Sequence, residues 1–398
     1  MDALQSAIAQ YIFCANEVVQ FKMVRNVEDL ASEDGYFNPD MSHQIFGEKE
    51  QIFGFKKLRI NLFYAASTLH IYVNIKYEKK LNPKYAEGVE PDNIMEKLKD
   101  VLPLKFSENI DEFSSQLETQ ASFHPHGELI NTYTRQGKET SLKRTFQVYK
   151  ADVTCPGFKD YHQRMESFIL WFIDAASYID ADDDKWDFYT VFEKIVKSGI
   201  TTFNFVGYST CYRFYAYPDR CRPRISQVLV LPVYQKQGHC TALLSTIYQQ
   251  YTNNSSVVDI TAEDPSDNFQ RVRDFVDAKN LAQLKAFCPA NLKESYSKEM
   301  EKSAKENHKI NKRQARRIYE ILRLSHTNEH DDDEFTKYRL SVKERINRPF
   351  KNESMRKKSR LLHDQLVPQA EERRLILQKE FEKCLEEYRK VVSRLQAC

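Results

Sequence analysis

The sequence predicts an α+β protein with an N-terminal α/β domain, a central core of mixed sheet and helix, and a C-terminal helical region. Three observations carry that expectation. Residues 51–78 and several later stretches alternate apolar and polar residues as half-buried strands do. Over Gln227–Gln249 a strand, a glycine-containing turn and a helix follow one another without a gap. Beyond residue 280 the chain becomes highly charged, with apolar residues at helical spacing. The domain boundaries fall at 1–123, 124–279 and 280–398.

Composition narrows the class. The chain has 398 residues, 41% of them hydrophobic and 12% aromatic, enough for real cores, so global disorder is excluded. The net charge of +2 is unevenly spread: residues 291–398 hold 27 basic and 19 acidic side chains, a net of +8, which leaves −6 on the rest. An acidic body suits a basic partner, and a basic tail suits an address or an acidic surface; ordinary solvated faces explain the same numbers without a partner. The eight cysteines are scattered, with no C-x-x-C and no matching histidine pair, so neither a zinc site nor a disulfide framework is expected. The start, Met-Asp-Ala-Leu, has no basic segment followed by a long apolar core, so it is not read as a signal peptide. No apolar run approaches the roughly 20 residues of a membrane span. A soluble intracellular protein, without membrane contact or metal, is expected.

In chain order, residues 2–20 read as an amphipathic helix. Phe53, Phe55, Leu58, Ile60 and Leu62, then Leu69, Ile71, Val73 and Ile75, read as a hairpin broken at Ala65–Ser67. A helix starts at Pro91-Asp92 and runs to about Leu102, and another covers Asn109–Ala121. Phe123–Gly127 closes this piece. Two strands follow, Leu129–Thr134 and Phe146–Val153, then a long apolar helix from Tyr161 to Tyr178 and the acidic loop Asp180–Asp184. Strands are expected at Trp186–Phe192, Ile200–Tyr208, Cys211–Tyr217 and, after the glycine turn, Val257–Thr261. A helix over Ser266–Lys279 has Asp264 as its cap and Pro265 in its first turn. Lys309–Leu324 is helical. In the final helix Leu377, Phe381, Cys384, Tyr388, Val391 and Leu395 form a seam that grips a partner or docks on the chain's own body. The basic cluster Arg356-Lys357-Lys358 with Arg360 is compatible with nuclear import, and equally with a solvated helix face.

Within Gln227–Gln249, Val228–Pro232 is the strand, and Ala242, Leu243, Leu244, Ile247 and Tyr248 recur at helical spacing. A turn entering a helix points free amides outward and so makes an anion site; Gly238 lets the main chain approach the ligand. A plain strand–turn–helix without a ligand has the same pattern.

The order strand, long helix, three strands, strand–Gly-turn–helix, strand, helix resembles the GNAT acyltransferase fold. Phe192-Glu193-Lys194, Tyr217-Pro218-Asp219-Arg220 with Arg222-Pro223-Arg224, Gln235–Gly238 and Ile260-Thr261-Ala262-Glu263-Asp264-Pro265-Ser266 resemble, more narrowly, the catalytic subunits of the type B histone acetyltransferases. The likeness runs from about residue 44 to the Lys309–Leu324 helix and into the last one.

The resemblance implies acetyl-CoA as co-substrate, with the coenzyme diphosphate held by the turn Gln235-Lys236-Gln237-Gly238-His239-Cys240. The family's turn has glycine or alanine where Cys240 stands. Main-chain groups of Val228, Leu229 and Val230 are implied to bond the pantetheine arm, with Leu229 or Val230 meeting the oxyanion, and Asn268 matches a further coenzyme-contact position. Glu263 matches the general base that removes the lysine proton, an ionised lysine having no lone pair for attack. Its plain reading is a helix-start acid stabilised by the macrodipole. Asp264 is the neighbouring candidate, with capping as its alternative. Asp174 matches a family glutamate, one methylene shorter here. On the substrate side stand Trp186, Tyr212, Arg213 and Phe214, read alternatively as strand packing, and Glu48 and Glu50, otherwise solvated turn residues.

The expected function is therefore acetyl transfer from acetyl-CoA directly to tail lysines of newly made histone H4, presented with H3. A WD-repeat histone chaperone is the expected partner, nucleus and cytoplasm are the expected locations, and no nucleic-acid role is required. Two alternatives stand beside it: a catalytically weak acyl-CoA-binding histone escort, and the same fold acetylating other protein amines.

Overall fold

The computed structural model describes residues 9–83, 88–103, 105–136, 143–359 and 370–397, with main chain only at 351–359 and 370. Arg360 lies outside the described residues. The chain divides into two compact units, Met1–Arg213 with Ile225–Thr246, and Phe214–Arg224 with Ile247–Cys398.

The first unit opens with short strands Ile12–Cys14 (β1), Val19–Val24 (β2) and Tyr36–Phe37 (β3), then Gln51–Phe53 (β4), Phe55–Lys56 (β5), Arg59–Ala65 (β6), Ile71–Lys76 (β7) and Lys79–Lys80 (β8). A four-stranded sheet has the order β3-β2-β6-β7; β2 runs parallel to β6, while β6 and β7 form the expected antiparallel hairpin. The helix expected over residues 2–20 is corrected for its described part, which is β1, a single turn Ala15–Val18, and β2. Val18, Val19, Phe21 and Val24 are buried. Pairing of β2 along β6 satisfies its main chain, and β-branched and aromatic side chains favour that state over helix. Phe21 sits at the centre of an aromatic cluster, 5.4 Å edge-on to Trp171 and 6.0 Å from Tyr64, and Tyr64 stacks on Phe168 at 4.2 Å.

Helices of nine residues or more are numbered α1 onward. Ile110–Glu118 (α1) lies within the helix expected over Asn109–Ala121 and is capped by Asn109; the shorter Ile94–Lys99 begins after Asn93, later than Pro91-Asp92, because Asp92 instead accepts the Phe53 amide at 2.7 Å. The single helix expected over Tyr161–Tyr178 is also corrected. It is Phe158–Glu166 (α2) followed by one turn, Ile169–Phe172, after which Ile173 is extended. The Trp171 carbonyl accepts the amides of Asp40 and Met41 at 3.0 and 3.2 Å, so it is bonded across the fold and not to a continuing helix.

Strands Glu128–Gln136 (β9), Lys143–Ala151 (β10), Trp186–Lys197 (β11), Ile200–Ala216 (β12), Arg220–Val230 (β13) and Thr261–Ala262 (β14) form a sheet of order β14-β13-β12-β11-β10-β9. β12 is one strand, not two: Ser209 and Thr210 looked like a break but are buried, and Thr210 Oγ1 accepts the Gln227 amide at 3.1 Å. Between Val257 and Thr261 there are only two isolated bridges before β14, Val257 to Cys221 and Ile260 to Ile310. The helix after the glycine turn is His239–Thr252 (α3).

The second unit is mainly helical: Asp267–Leu281 (α4), Lys298–His308 (α5), Lys312–Leu324 (α6), Asp332–Ser359 (α7) and Ala370–Gln396 (α8). The cap of α4 is Ser266, which accepts the Phe269 amide at 3.3 Å; Asp264, at φ +28°, is turned outside the helix. Lys309 is the left-handed residue ending α5, so α6 starts later than expected. The seam of α8 docks on the chain itself, with Phe381, Leu385, Tyr388 and Val391 buried against α4, α6 and α7. Charged side chains go inside with them: Asp274 and Asp277 are fully buried and Glu320 nearly so.

Candidate active site

The stretch expected to cradle the coenzyme lies in the first unit. At the end of β13, alternation sends Leu229 into the core and leaves Val228 and Val230 half-buried on the other face. Gly207 on β12 permits the close approach there, since a Cβ at that position would lie 2.2 Å from the Leu229 carbonyl oxygen. After Leu231 the chain makes a short turn, Pro232–Tyr234. Tyr234 is buried and donates to Glu193 at 3.1 Å, and Glu193 in turn accepts a fork from Arg144 at 2.5 and 2.6 Å. Burial, reinforced by the Glu193 carboxylate, holds the Tyr234 phenol far above its ordinary pKa. This ion pair fixes the base of the turn and gives the Phe192-Glu193-Lys194 motif a physical task.

The turn itself is held by its own glutamines. Gln235 donates to the Val230 carbonyl and Gln237 to the Val233 carbonyl, both at 3.0 Å. Lys236 and Gly238 are left-handed, at φ +60° and +81°. His239 starts α3, and the first turn of that helix carries no acidic residue. The His239 ring is buried; burial first, then Arg135 and Arg144, push its pKa down to about 4, so it is neutral at neutral pH. Its Nδ1 lies 2.9 Å from the Tyr133 hydroxyl. The ring therefore offers no positive charge at neutral pH. Cys240, the second residue of α3, is half-buried.

Sequence reading missed Arg135. Its guanidinium donates to the carbonyls of Gln237 and Gly238 at 3.2 and 3.3 Å, and a Cβ at Gly238 would meet Arg135 Nε at 3.2 Å. The turn sits about 100 residues downstream of β9, so no local pattern announces the pairing. A helix N-terminus, Lys236 and Arg135 together form a cradle whose charge and main-chain geometry fit a diphosphate.

Trp186 and Tyr212 lie directly opposite each other on β11 and β12, their rings edge-to-face at 4.8 Å. Tyr212 donates to Asp183 at 2.8 Å, and Arg213 donates to the carbonyls of Lys185 and Asp184. The acidic loop is thereby tied to the aromatic pair. Tyr208, on the same strand as Tyr212, is fully buried.

The acidic turn and Asp174 meet through a histidine that the sequence did not single out. His43 has Nδ1 3.9 Å from Glu50 and Nε2 3.5 Å from Asp174. Glu50 also accepts the Ser42 amide at 2.6 Å and the Asn16 side chain at 2.8 Å, so it anchors its own turn. Glu48 is exposed, and Asp174 has a side chain 79% exposed.

In the second unit, Glu263 directly follows β14 and lies 3.7 Å from Arg224, with its side chain 48% exposed. Arg224 also covers the Phe214 ring at 4.4 Å. Asp264 is exposed, and Asn268, in the first turn of α4, accepts a hydrogen bond from Arg271. Among the described residues no group of three or more His, Cys, Asp or Glu could hold a metal, and no helix is long and apolar enough to cross a membrane.

A family model described as "Histone acetyl transferase HAT1 N-terminus" matches residues 11–174, and one described as "Histone acetyltransferase type B catalytic subunit, C-terminal" matches residues 273–324. The rat and human proteins named "Histone acetyltransferase type B catalytic subunit" are each 39% identical over 99% of this chain and 96% of their own. The protein of that name from Mycosarcoma maydis is 33% identical over 92% of this chain and 85% of its own. The protein is thus an acetyltransferase. More narrowly, the chain belongs to the family of histone acetyltransferase type B catalytic subunits.

Proposed function

We propose that the protein moves the acetyl group of acetyl-CoA directly to tail lysines of newly synthesised histone H4, with no covalent enzyme intermediate. The observation that carries this reading is the Gln235–Cys240 turn, whose left-handed Lys236 and Gly238 lead into a helix start with no acid in its first turn and Arg135 behind it. That arrangement suits the coenzyme diphosphate. Gln235, Lys236, Gln237, Gly238, His239 and Cys240 would hold it, with main-chain groups of Val228, Leu229 and Val230 on the pantetheine arm and Asn268 as a further contact.

Glu263 acts as the general base. It takes a proton from the lysine ammonium, directly or through a water; the freed nitrogen then bonds to the thioester carbonyl carbon while the carbon–sulfur bond breaks. The coenzyme leaves as its thiol after gaining a proton. A main-chain amide of Leu229 or Val230 stabilises the negative oxygen. Asp264 and Asp174 are secondary carboxylates in this scheme. Trp186, Tyr212, Arg213 and Phe214 receive the lysine stem and its flanking main chain, and Glu48 and Glu50 face the basic tail.

The substrate enters as H3–H4, a WD-repeat histone chaperone assists, and the protein works in nucleus and cytoplasm. The names of the relatives and the excess of acid in residues 1–290 support the histone part.

The test mixes the protein with acetyl-CoA and an H4-tail peptide and follows thiol release, with unrelated lysine peptides alongside. Release above background with the H4 peptide is expected, and equal rates on all peptides would transfer the reading to general protein amines. E263Q should lower kcat by about 100-fold or more while leaving acetyl-CoA binding intact; weaker binding with normal turnover would remove Glu263 from the base role.

A further inference from the structure

The second unit contains a cavity of 510 Å³ that the transfer reaction does not use. It is lined by Tyr296, Ser297, Lys298, Glu301, Lys312, Arg313, Arg316, Arg345 and Arg348. Six of these are cations and one is an acid. Glu301 is occupied by Lys312 at 2.9 Å, and the buried Glu320 is shared by the lining residues Arg316 and Arg345 at 3.2 and 2.8 Å. Lys298, Arg313 and Arg348 are exposed, and none of them is ion-paired to a carboxylate among the described residues.

Two further features point to an anion. Lys312 and Arg313 occupy the first turn of α6, which has no acidic residue, so two cations stand at the positive end of a helix dipole. With Lys312 already paired to Glu301, that placement stays unfavourable for Arg313 until a further negative group joins it. The Tyr296 hydroxyl oxygen is buried and has no hydrogen-bond partner among the described residues. Buried polar groups of native proteins are normally satisfied, so this hydroxyl is free to bond a ligand in the cavity. The Arg316 guanidinium carbon lies 5.2 Å from the centre of the Tyr296 ring, and Glu320 holds both Arg316 and Arg345, so the two guanidiniums are pre-oriented.

We propose that this cavity is a binding site for a compact polyanion bearing two or more phosphate groups, of the phosphorylated-polyol type. The volume falls in the range of small-molecule sites, about 300–1,000 Å³. Two phosphates carry about −3 to −4 charges, which matches the excess of cations over carboxylates around the cavity. The concave wall concentrates the positive field, and arginine forks suit phosphate oxygens. An extended chain such as a nucleic acid or an acidic peptide would leave most of a concave site unfilled.

Calorimetric titration of the full-length chain with inositol hexakisphosphate, and with inorganic pyrophosphate as a smaller probe, decides the matter. One saturable site is expected, weakening as ionic strength rises from about 0.05 to about 0.3 M. R313E/R348E should weaken it about tenfold or more, because both side chains are exposed and removal costs binding and not folding. K298Q/R313Q, which reverses no charge, should weaken it less but measurably, and both variants should keep acetyl transfer unchanged. The proposal is overturned by the absence of saturable binding to either probe. Affinity unchanged in both variants also overturns it, as does tighter binding of a single-stranded oligonucleotide or polyglutamate than of the hexakisphosphate.

Discussion

Glu166, at the end of α2, offers a measurable test of how the first unit is assembled. Its side chain is buried, and burial pushes its pKa from 4.5 up to about 7, against the opposing effect of the Ile179 amide that it accepts at 2.9 Å. A carboxyl with a raised folded pKa holds its proton more tightly in the folded state. Stability is therefore greatest, so far as this group is concerned, below pH 4.5; it falls as pH rises to about 7 and stays low above that. At about 1.4 kcal/mol per pH unit, a shift of this size corresponds to about 3 kcal/mol of lost stability at pH 8.

The Glu166→Gln substitution removes the ionisation and keeps an oxygen for the Ile179 amide. Urea unfolding of wild type and variant at pH 5 and pH 8 is the assay. At pH 8 the variant should be the more stable by up to about 3 kcal/mol, and at pH 5 the difference should shrink to less than about 1 kcal/mol. A difference that is the same at both pH values would refute the reasoning, because it would then come from packing and not from a proton. Destabilisation at pH 8 would refute it more directly, showing that the carboxylate is satisfied as an anion.

Three further outcomes follow from close contacts. Gly238→Ala forces a side chain into a left-handed residue 3.2 Å from Arg135, at a cost of about 1–2 kcal/mol; with Arg135→Ala it should raise the KM for acetyl-CoA far more than it lowers kcat, by steady-state kinetics. Gly207→Ala places a Cβ 2.2 Å from the Leu229 oxygen and should cost about 3 kcal/mol or more in denaturant unfolding, or prevent soluble expression. Asp274→Ala removes the partner of Arg317 at 2.7 Å and of Gln270 and Gln314 at 2.6 and 3.0 Å, and should destabilise the second unit by about 3–5 kcal/mol.

Much of the fold was legible because its signals are local. The β6–β7 hairpin, the start of α1 at Asn109 and the Gly238 turn each follow from residues within a few positions of one another. Where reading failed, a distant partner decided. β1 and β2 pair with β4 and β6, each some 40 positions on, and the Trp171 carbonyl is taken by amides at positions 40 and 41. Ser209 and Thr210 read as a break because their polarity is visible in sequence while the Thr210 bond to Gln227 is not.

The same distinction explains what was and was not legible at the site. Gln235–Cys240 is a contiguous motif and was found; Arg135 and His43 act across about 100 and 130 residues and were missed. Charge is the harder case. Residues beyond 280 looked like solvated helices, yet Glu320 is buried and bonded by Arg345 and by Tyr388 of α8 at 3.0 Å, while Asp274 holds Arg317. A buried carboxylate is tolerated only when cations and donors converge on it, and here they come from three helices. High charge in this segment is thus the means of registering helices against one another, and cations left over from that pairing, Lys298, Arg313 and Arg348, gather around a cavity. Counting charges in a sequence cannot separate these two populations, because the difference lies in which carboxylate each cation reaches.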